Sequence, residues 1–318
     1  MNPSRLQTLT ALFFALSLCS CEKERIDLPW QMVFTQPGQV LSDISQSAPG
    51  QLRAVGGDSW YEGLSVESTD GGVTWVAGRL GDKQLFGIDS RGERTTAVGI
   101  DGYLYEKHGT DEWRFVRLSR WDILRDVIDI DDDLRIAVGG VAFNSGVIYR
   151  LDQGRITEFH SFPHELQWVE QLADGSLLAG GYGLVLKSSD RGVSWSSVPL
   201  EGDFFQDAAV GEDGSIWVVG YAGGVWKSDN GGRSWKRQRG PKSLTRLPGL
   251  RCVDFRDNRT GIIAGDNGNA LLTNNGGDDW VTIGSLPQDV DFYAVTIDGQ
   301  QAWLVGSGGA VVRIELPE

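Results

Sequence analysis

One eight-residue phrase constrains this chain more than any other feature. It reads STDGGVTW at 68–75, SSDRGVSW at 188–195, SDNGGRSW at 228–235 and TNNGGDDW at 273–280. The shared skeleton is Ser68/Asp70/Gly72/Trp75, Ser188/Asp190/Gly192/Trp195, Ser228/Asn230/Gly232/Trp235 and Thr273/Asn275/Gly277/Trp280. Asp or Asn at the third position folds its side chain onto backbone amides two residues on, which makes a tight turn. Glycine at the fifth position accepts the positive φ such a turn needs. The closing Trp supplies a large apolar anchor with one N–H to satisfy. The phrase therefore predicts a hairpin turn carrying its own anchor, a structural role rather than a catalytic one.

A second column lies upstream of each turn: two apolar residues and a glycine. It runs Ala54-Val55-Gly56, Ala97-Val98-Gly99, Ala137-Val138-Gly139, Leu178-Ala179-Gly180, Val218-Val219-Gly220, Ile263-Ala264-Gly265 and Leu304-Val305-Gly306. The glycine intervals of 43, 40, 41, 40, 45 and 41 residues set a period near 40, at which each repeat is one four-stranded blade. Within a unit, short apolar runs alternate between Gly/Asp/Asn turns, a strand pattern throughout. The fold class is all-β: a seven-bladed β-propeller. The second unit keeps Trp113 but loses the Asp-Gly turn, and the third loses both Asp and Trp. The seventh ends without a fourth strand, and PWQMVF at 29–34 matches the missing piece. The N-terminal strand is thus expected to close the last blade, removing an open sheet edge.

The first residues read as a targeting signal, of lipoprotein type or, as the alternative, an ordinary cleaved signal peptide. Arg5, the apolar run LTALFFALSL and LCSC resemble a bacterial lipoprotein leader, too short to be a comfortable membrane span. Leu18 and Ser20 stand at minus three and minus one from Cys21, making Cys21 the residue to be lipidated. The expected organisation is a signal peptide over 1–20, a lipid-anchored linker over 21–28 and the propeller over 29–318. Cys252 is then the one remaining thiol of the mature chain, so no disulfide framework forms. Glu22 after the lipidated cysteine points to the cell envelope, with the outer membrane or periplasm favoured in a Gram-negative host.

The phrases resemble Asp-boxes, also called BNR repeats. Together with the apolar-apolar-Gly column in seven units, residues 29–318 are similar to the photosystem II stability/assembly factor family, here as a bacterial lipoprotein member. That resemblance implies a non-enzymatic scaffold that binds another envelope or membrane protein. The alternative is a surface propeller that binds glycans or hydrolyses them in the manner of a sialidase.

In this architecture the boxes lie on one face. The blade-to-blade loops and the turns after the glycine column lie on the other, where a ligand is expected. The starts of the seven inner strands give a ring of Ser42, Phe86, Arg125, Gln167, Gln206, Arg251 and Tyr293, and the adjoining turns add Trp60, Asp101, Phe143, Tyr182, Tyr221, Asp266 and Asn267. Arg, Gln and aromatic groups converging on a concavity form a candidate binding site.

The chain carries a net charge of −14, yet residues 226–259 hold ten basic residues against three acidic, a local balance of +7. Arg237, Arg239, Lys242 and Arg246 belong to this stretch, and Arg114, Arg117, Arg120 and Arg125 form a smaller group. A basic patch on an acidic body predicts attraction to a partner with an acidic segment or to lipid headgroups rather than to nucleic acid. The protein is expected to be a monomer.

Enzyme chemistry finds no motif. The three histidines, His108, His160 and His164, have neither metal-ligand nor triad spacing. No glycine-rich phosphate loop precedes a lysine. DIDDD at 129–133 lacks calcium-loop spacing. No catalytic residue, metal or cofactor is expected.

Overall fold

The computed structural model describes residues 25–141, 144–240 and 248–317. Seven antiparallel sheets follow one another around a central channel. The seven inner strands are Val40–Ala48, Leu85–Arg91, Leu124–Asp129, Leu166–Gln171, Phe205–Val210, Leu250–Phe255 and Phe292–Asp298. Among the described residues no α-helix occurs. The fold is a seven-bladed β-propeller.

Its core is divided among the seams. Seven apolar clusters form, each drawing on two neighbouring blades. At the seam of blades five and six, for example, Trp217 stacks on Phe255 with centroids 3.7 Å apart. No blade buries its own faces alone, so each sheet depends on its neighbours for stability.

The last blade closes as the sequence predicts. Strand Trp30–Phe34 pairs antiparallel with Val311–Glu315, Trp30 opposite Ile314. The fold nevertheless begins before that strand. Arg25–Ile26 adds to blade six, pairing in parallel with Val281–Ile283, and Leu28 is buried between blades six and seven. Residues 25–28, expected as linker, are thus part of the sheet structure, because Ile26 and Leu28 are apolar and find the seam.

The glycine column answers a close approach. A Cβ on Gly56 would lie 1.8 Å from the Val40 carbonyl oxygen, and one on Gly139 would lie 2.1 Å from that of Ile123. In blade four this position belongs to Gly181, opposite Leu166, rather than to Gly180 as the spacing places it. Gly180 makes room instead for the Trp168 ring, 2.3 Å from where its Cβ would stand.

Each box is a closed hydrogen-bonded turn. The Gly72 N–H donates to Ser68 Oγ at 2.9 Å, and the amides of Val73 and Thr74 donate to Asp70 at 3.1 and 2.9 Å. The Asp side chain therefore spans three and four residues, not two. Asn275 departs from the expected two-residue bond in the same way. The amide two residues on, Gly277 N–H, goes to Thr273 Oγ1 at 2.9 Å. Asn275 Oδ1 instead accepts the Asp279 amide at 3.0 Å, and its Nδ2 donates to the Asp279 carboxylate at 3.1 Å. The hydroxyl of the first box residue is nearer to that glycine amide, which leaves the exposed Asn275 to reach further along the turn.

All four box tryptophans are half-buried, but they differ in what their N–H meets. The Trp75 and Trp195 indoles donate back to Gly72 O and Gly192 O at 3.1 and 3.2 Å. The expectation of a satisfied N–H fails for Trp235 and Trp280, whose buried Nε1 atoms have no hydrogen-bond partner among the described residues. Packing decides their placement instead. Trp235 rests on the apolar cluster between blades four and five, and Trp280 meets Phe255 edge-on with centroids 6.0 Å apart. The anchor role of the ring therefore holds in all four boxes, and the return bond to the turn in two. Each box also touches the preceding blade. Gly72 faces Trp303, Gly192 faces Ile136, Gly232 faces Leu178 and Gly277 faces Trp217.

Blades two and three have no box, and the facing position on the preceding blade changes accordingly, to Arg53 and Thr96. Arg53 is bound by Thr95 and Glu67, and Glu67 also holds Lys107 at 2.8 Å. Thr96 meets Asp129 and Arg135, with Arg135 paired to Asp129 at 2.7 Å and to Glu106 at 2.8 Å. Buried ion clusters replace the box at these two seams.

Candidate functional site: the channel mouth

All seven residues of the sequence-derived ring line one central cavity of about 700 Å³. Their convergence has a single structural cause. Every inner strand carries a β-bulge at the same place, between Leu41/Asp43, Leu85/Gly87, Leu124/Asp126, Leu166/Trp168, Phe205/Asp207, Leu250/Cys252 and Phe292/Ala294. The residue skipped by each ladder is the ring residue. A bulge re-aims a side chain out of its sheet, and here seven bulges aim seven side chains at the mouth. All seven are half-buried.

Two arginines dominate the ring. Arg125 donates through Nε to Glu165 at 2.6 Å, and its guanidinium lies 4.5 Å from the Phe86 ring. Arg251 donates through Nε to Asp266 at 2.5 Å and stands between the rings of Tyr221 and Tyr293, at 5.2 and 5.0 Å. Each guanidinium is fixed by a carboxylate and aromatic rings. Among the described residues, its terminal N–H groups make no hydrogen bond. These groups are available for bidentate capture of a carboxylate. The Gln206 Nε2 is likewise a buried donor without a partner among the described residues.

Below the ring the channel wall is acidic, which the sequence reading did not anticipate. Asp43, Asp126 and Asp207 follow the bulge in blades one, three and five. Asp89, Glu170 and Asp254 occupy deeper positions in blades two, four and six. Five of them clip neighbouring blades together. Asp43 accepts from Ile88 N, Asp89 from Asp129 N, Asp126 from Val169 N, Asp207 from Val253 N and Asp254 from Ile297 N, at 2.7–2.8 Å. Each also accepts the amide of the residue after it.

Water reaches this wall along the channel, but protein surrounds each carboxyl on its other sides. Burial pushes Asp126 and Asp254 up to about 7 and Asp89 to about 6. Burial, reinforced by neighbouring carboxylates, holds Asp43, Asp207 and Glu170 well above the usual range. The recurring acid after the ring position was the available signal, and its meaning depends on the cross-blade register.

The basic stretch at 226–259 divides between the two faces. Arg237 and Arg239 end the outer strand of blade five at the mouth face, where Arg239 donates to Gly223 O at 2.8 Å. Arg233, Arg256 and Arg259 lie on the box face. Arg233 donates to Asn230 O, Arg256 to Pro317 O and Arg259 to Asn274 O. The expectation of one continuous patch therefore fails, because a strand's length separates residues adjacent in sequence. Arg239 is half-buried, whereas Arg237 is exposed. Cys21, Phe143, Lys242 and Arg246 lie outside the described residues.

No protein-family model and no curated protein matches this chain. Solved structures do. A structure of YCF48 bound to D1 peptide superposes with a TM-score of 0.72 at 17% identity, covering 93% of this chain and 100% of that one. YCF48 from Cyanidioschyzon merolae gives 0.68 at 17% identity, covering 90% of this chain and 98% of its own. The WD40 propeller domain of Doa1 gives 0.70 at 12% identity, covering 92% and 98%. The likeness is one of fold. A fold does not by itself fix an activity, so function has to be argued from the site.

Proposed function

We propose that this chain is a non-enzymatic, lipid-anchored propeller of the cell envelope that binds another protein through the mouth face, as an assembly or stability factor. The observation that carries the reading is the bulged ring. It presents Arg125 and Arg251, whose terminal N–H groups make no hydrogen bond among the described residues, beside Gln167, Gln206 and Tyr293, at the entrance of one cavity. Such a ring suits a carboxylate-bearing segment of a protein. YCF48, similar in fold, is a propeller seen with a D1 peptide, and peptide capture is the kind of work proposed here.

Glycoside hydrolysis asks for two carboxyl groups free to act at the sugar. Five of the six channel carboxylates are occupied by backbone amides of two blades, and none belongs to the ring. The anchor would be Cys21. Only residues 22–24 separate it from Arg25 on the outer edge of blade six, a reach of about 14 Å when fully extended. The propeller would then sit close against its membrane.

A photo-crosslinking residue placed at Gln167 and, separately, at Val193 in a box tests the face assignment in native membranes. A discrete protein adduct from position 167 and none from 193 is the expected result. An adduct from 193 alone overturns it.

A further inference from the structure

The mouth face is chemically split in two. Among the described residues, its exposed large apolar side chains all lie on blades one to four. Trp60 is 52% exposed, Tyr61 75%, Trp121 73%, Val141 50% and Tyr182 39%. The other exposed large apolar residues belong to box turns or outer strands. Blades five to seven show no exposed large apolar group at this face among the described residues.

Charge is distributed unevenly over the same face. On blades one to four, three basic groups at this face are matched by carboxylates of the chain itself. Lys83 pairs with Asp101 at 3.9 Å, Arg120 with Asp122 at 3.1 Å and Arg125 with Glu165 at 2.6 Å. Arg79 instead donates to the carbonyls of Gly81 and Tyr61, and Arg117 lies over the Tyr103 and Trp121 rings. Cations also cover the rings there, Lys83 over Trp60 at 4.7 Å and Arg117 over Trp121 at 4.3 Å. On blade five, Arg237 and Arg239 meet only backbone carbonyls, of Arg239 and Gly223. Among the described residues no carboxylate stands within ion-pair distance of either.

We infer that the occupant of this face is an extended protein segment with two unlike ends. Its apolar or aromatic end lies over Trp60, Tyr61 and Trp121, and its acidic end lies over Arg237 and Arg251, across the channel mouth. This rests on the partner-binding reading above and adds to it an apolar requirement and a placement across the mouth. Exposed aromatic side chains held by cations give contact area at small entropic cost, as at protein interfaces. Arg237, which meets only a backbone carbonyl, sets orientation and rate of approach. An acidic segment alone would leave the aromatic half uncovered.

Random 12-residue peptides displayed against the full chain test the inference. Enriched peptides are expected to carry apolar residues at one end and Asp or Glu at the other. Trp121→Ser should weaken them about tenfold or more, and Arg237→Glu should weaken them in low salt. Trp121 is largely exposed, so an unchanged melting midpoint will show that the variant folds. Enrichment of purely acidic peptides, sensitive to Arg237→Glu and indifferent to Trp121→Ser, overturns the two-ended segment while leaving acidic partner capture standing. Binding of phosphatidylglycerol vesicles, lost in Trp121→Ser and unaccompanied by peptide enrichment, assigns the aromatic half to lipid and overturns it too. Absence of both peptide and vesicle binding also overturns it.

Discussion

Arg251 and Asp266 form an ion pair at 2.5 Å within blade six, so the guanidinium at the channel mouth reaches a partner already half-neutralised. The internal carboxylate holds the side chain in place and competes with any incoming one. Asp266→Asn should therefore tighten binding of an acidic peptide, while Arg251→Ala should weaken it about tenfold or more, the range of a hydrogen bond to a charged group. Titration calorimetry on both variants checks this. Weaker binding in both would show Asp266 acting by positioning rather than competing.

Arg237→Glu probes the outer charge. The side chain is exposed, so the fold should be unaffected and binding of an acidic segment should fall. The loss should shrink in high salt, because screening acts within about 10 Å at 0.1 M. Affinity measured at low and high salt distinguishes this from a structural effect. Arg239 is unsuited to the same test, since it is half-buried and bonded to Gly223.

The boxes make a prediction with an internal control. Gly71 and Gly72 both have positive φ, at 74° and 72°. A Cβ on Gly71 would meet nothing within 4 Å, whereas one on Gly72 would lie 2.1 Å from Trp303 Nε1. Gly72→Ala should cost about 1–3 kcal/mol more than Gly71→Ala, the cost of overpacking a blade seam. Urea denaturation of the two variants measures it. Trp195→Ala should cost about 2–3 kcal/mol, less than a fully buried tryptophan, because its ring is only half-buried.

At the boxless seams the chemistry is ionic. The Arg135 and Asp129 side chains are 6% and 0% exposed. Arg135→Ala leaves Asp129 and Glu106 without their cation and should cost about 3–5 kcal/mol. A denaturation midpoint near wild type would mean that blade two is held by other contacts.

The channel carboxylates predict an unusual pH response. A carboxyl group whose pKa is higher folded than unfolded stabilises the fold in acid, and that contribution disappears as pH rises through the folded value. With Asp126 and Asp254 at about 7 and Asp89 at about 6, the melting midpoint should rise from pH 8 to pH 5. The box residues Asp70 and Asp190 act oppositely. Hydrogen bonds from Thr74 and Ser194 lower them to about 2, so their contribution is lost below about pH 4. Maximal stability should therefore fall near pH 5, and a scanning-calorimetry series checks it. A flat profile between pH 5 and 8 would contradict the burial argument.

Much of this fold was legible because its signals are local. The box, the glycine column and the stray Trp30 strand are each read within one unit, and the seven-blade closure follows from counting them. The ring residues were also readable, since each is a fixed step from the strand start. The bulge that turns them inward leaves no mark in a single strand. Long-range features escaped for the same reason. Arg53 and Arg135 read as ordinary surface charges until the missing boxes are placed opposite them. Trp235 and Trp280 read like Trp75 and Trp195, because the neighbours that draw their rings away from the turn belong to other strands. The basic stretch read as one patch because sequence proximity hides the strand that carries Arg259 to the other face. Trp121, in a blade-to-blade loop, carries no periodic signal at all.

The central claim is that the mouth face, through its ring, holds a protein partner. Co-purification of the membrane protein retained by the full chain tests it most directly, comparing wild type with Arg251→Gln/Gln167→Ala and with Val193→Asp in a box. Arg125 is left intact, because its loss would strand Glu165, whose side chain is 5% exposed. The account predicts that the ring variant loses the partner at an unchanged melting midpoint while the box variant keeps it. Retention by the ring variant with loss in the box variant would contradict it.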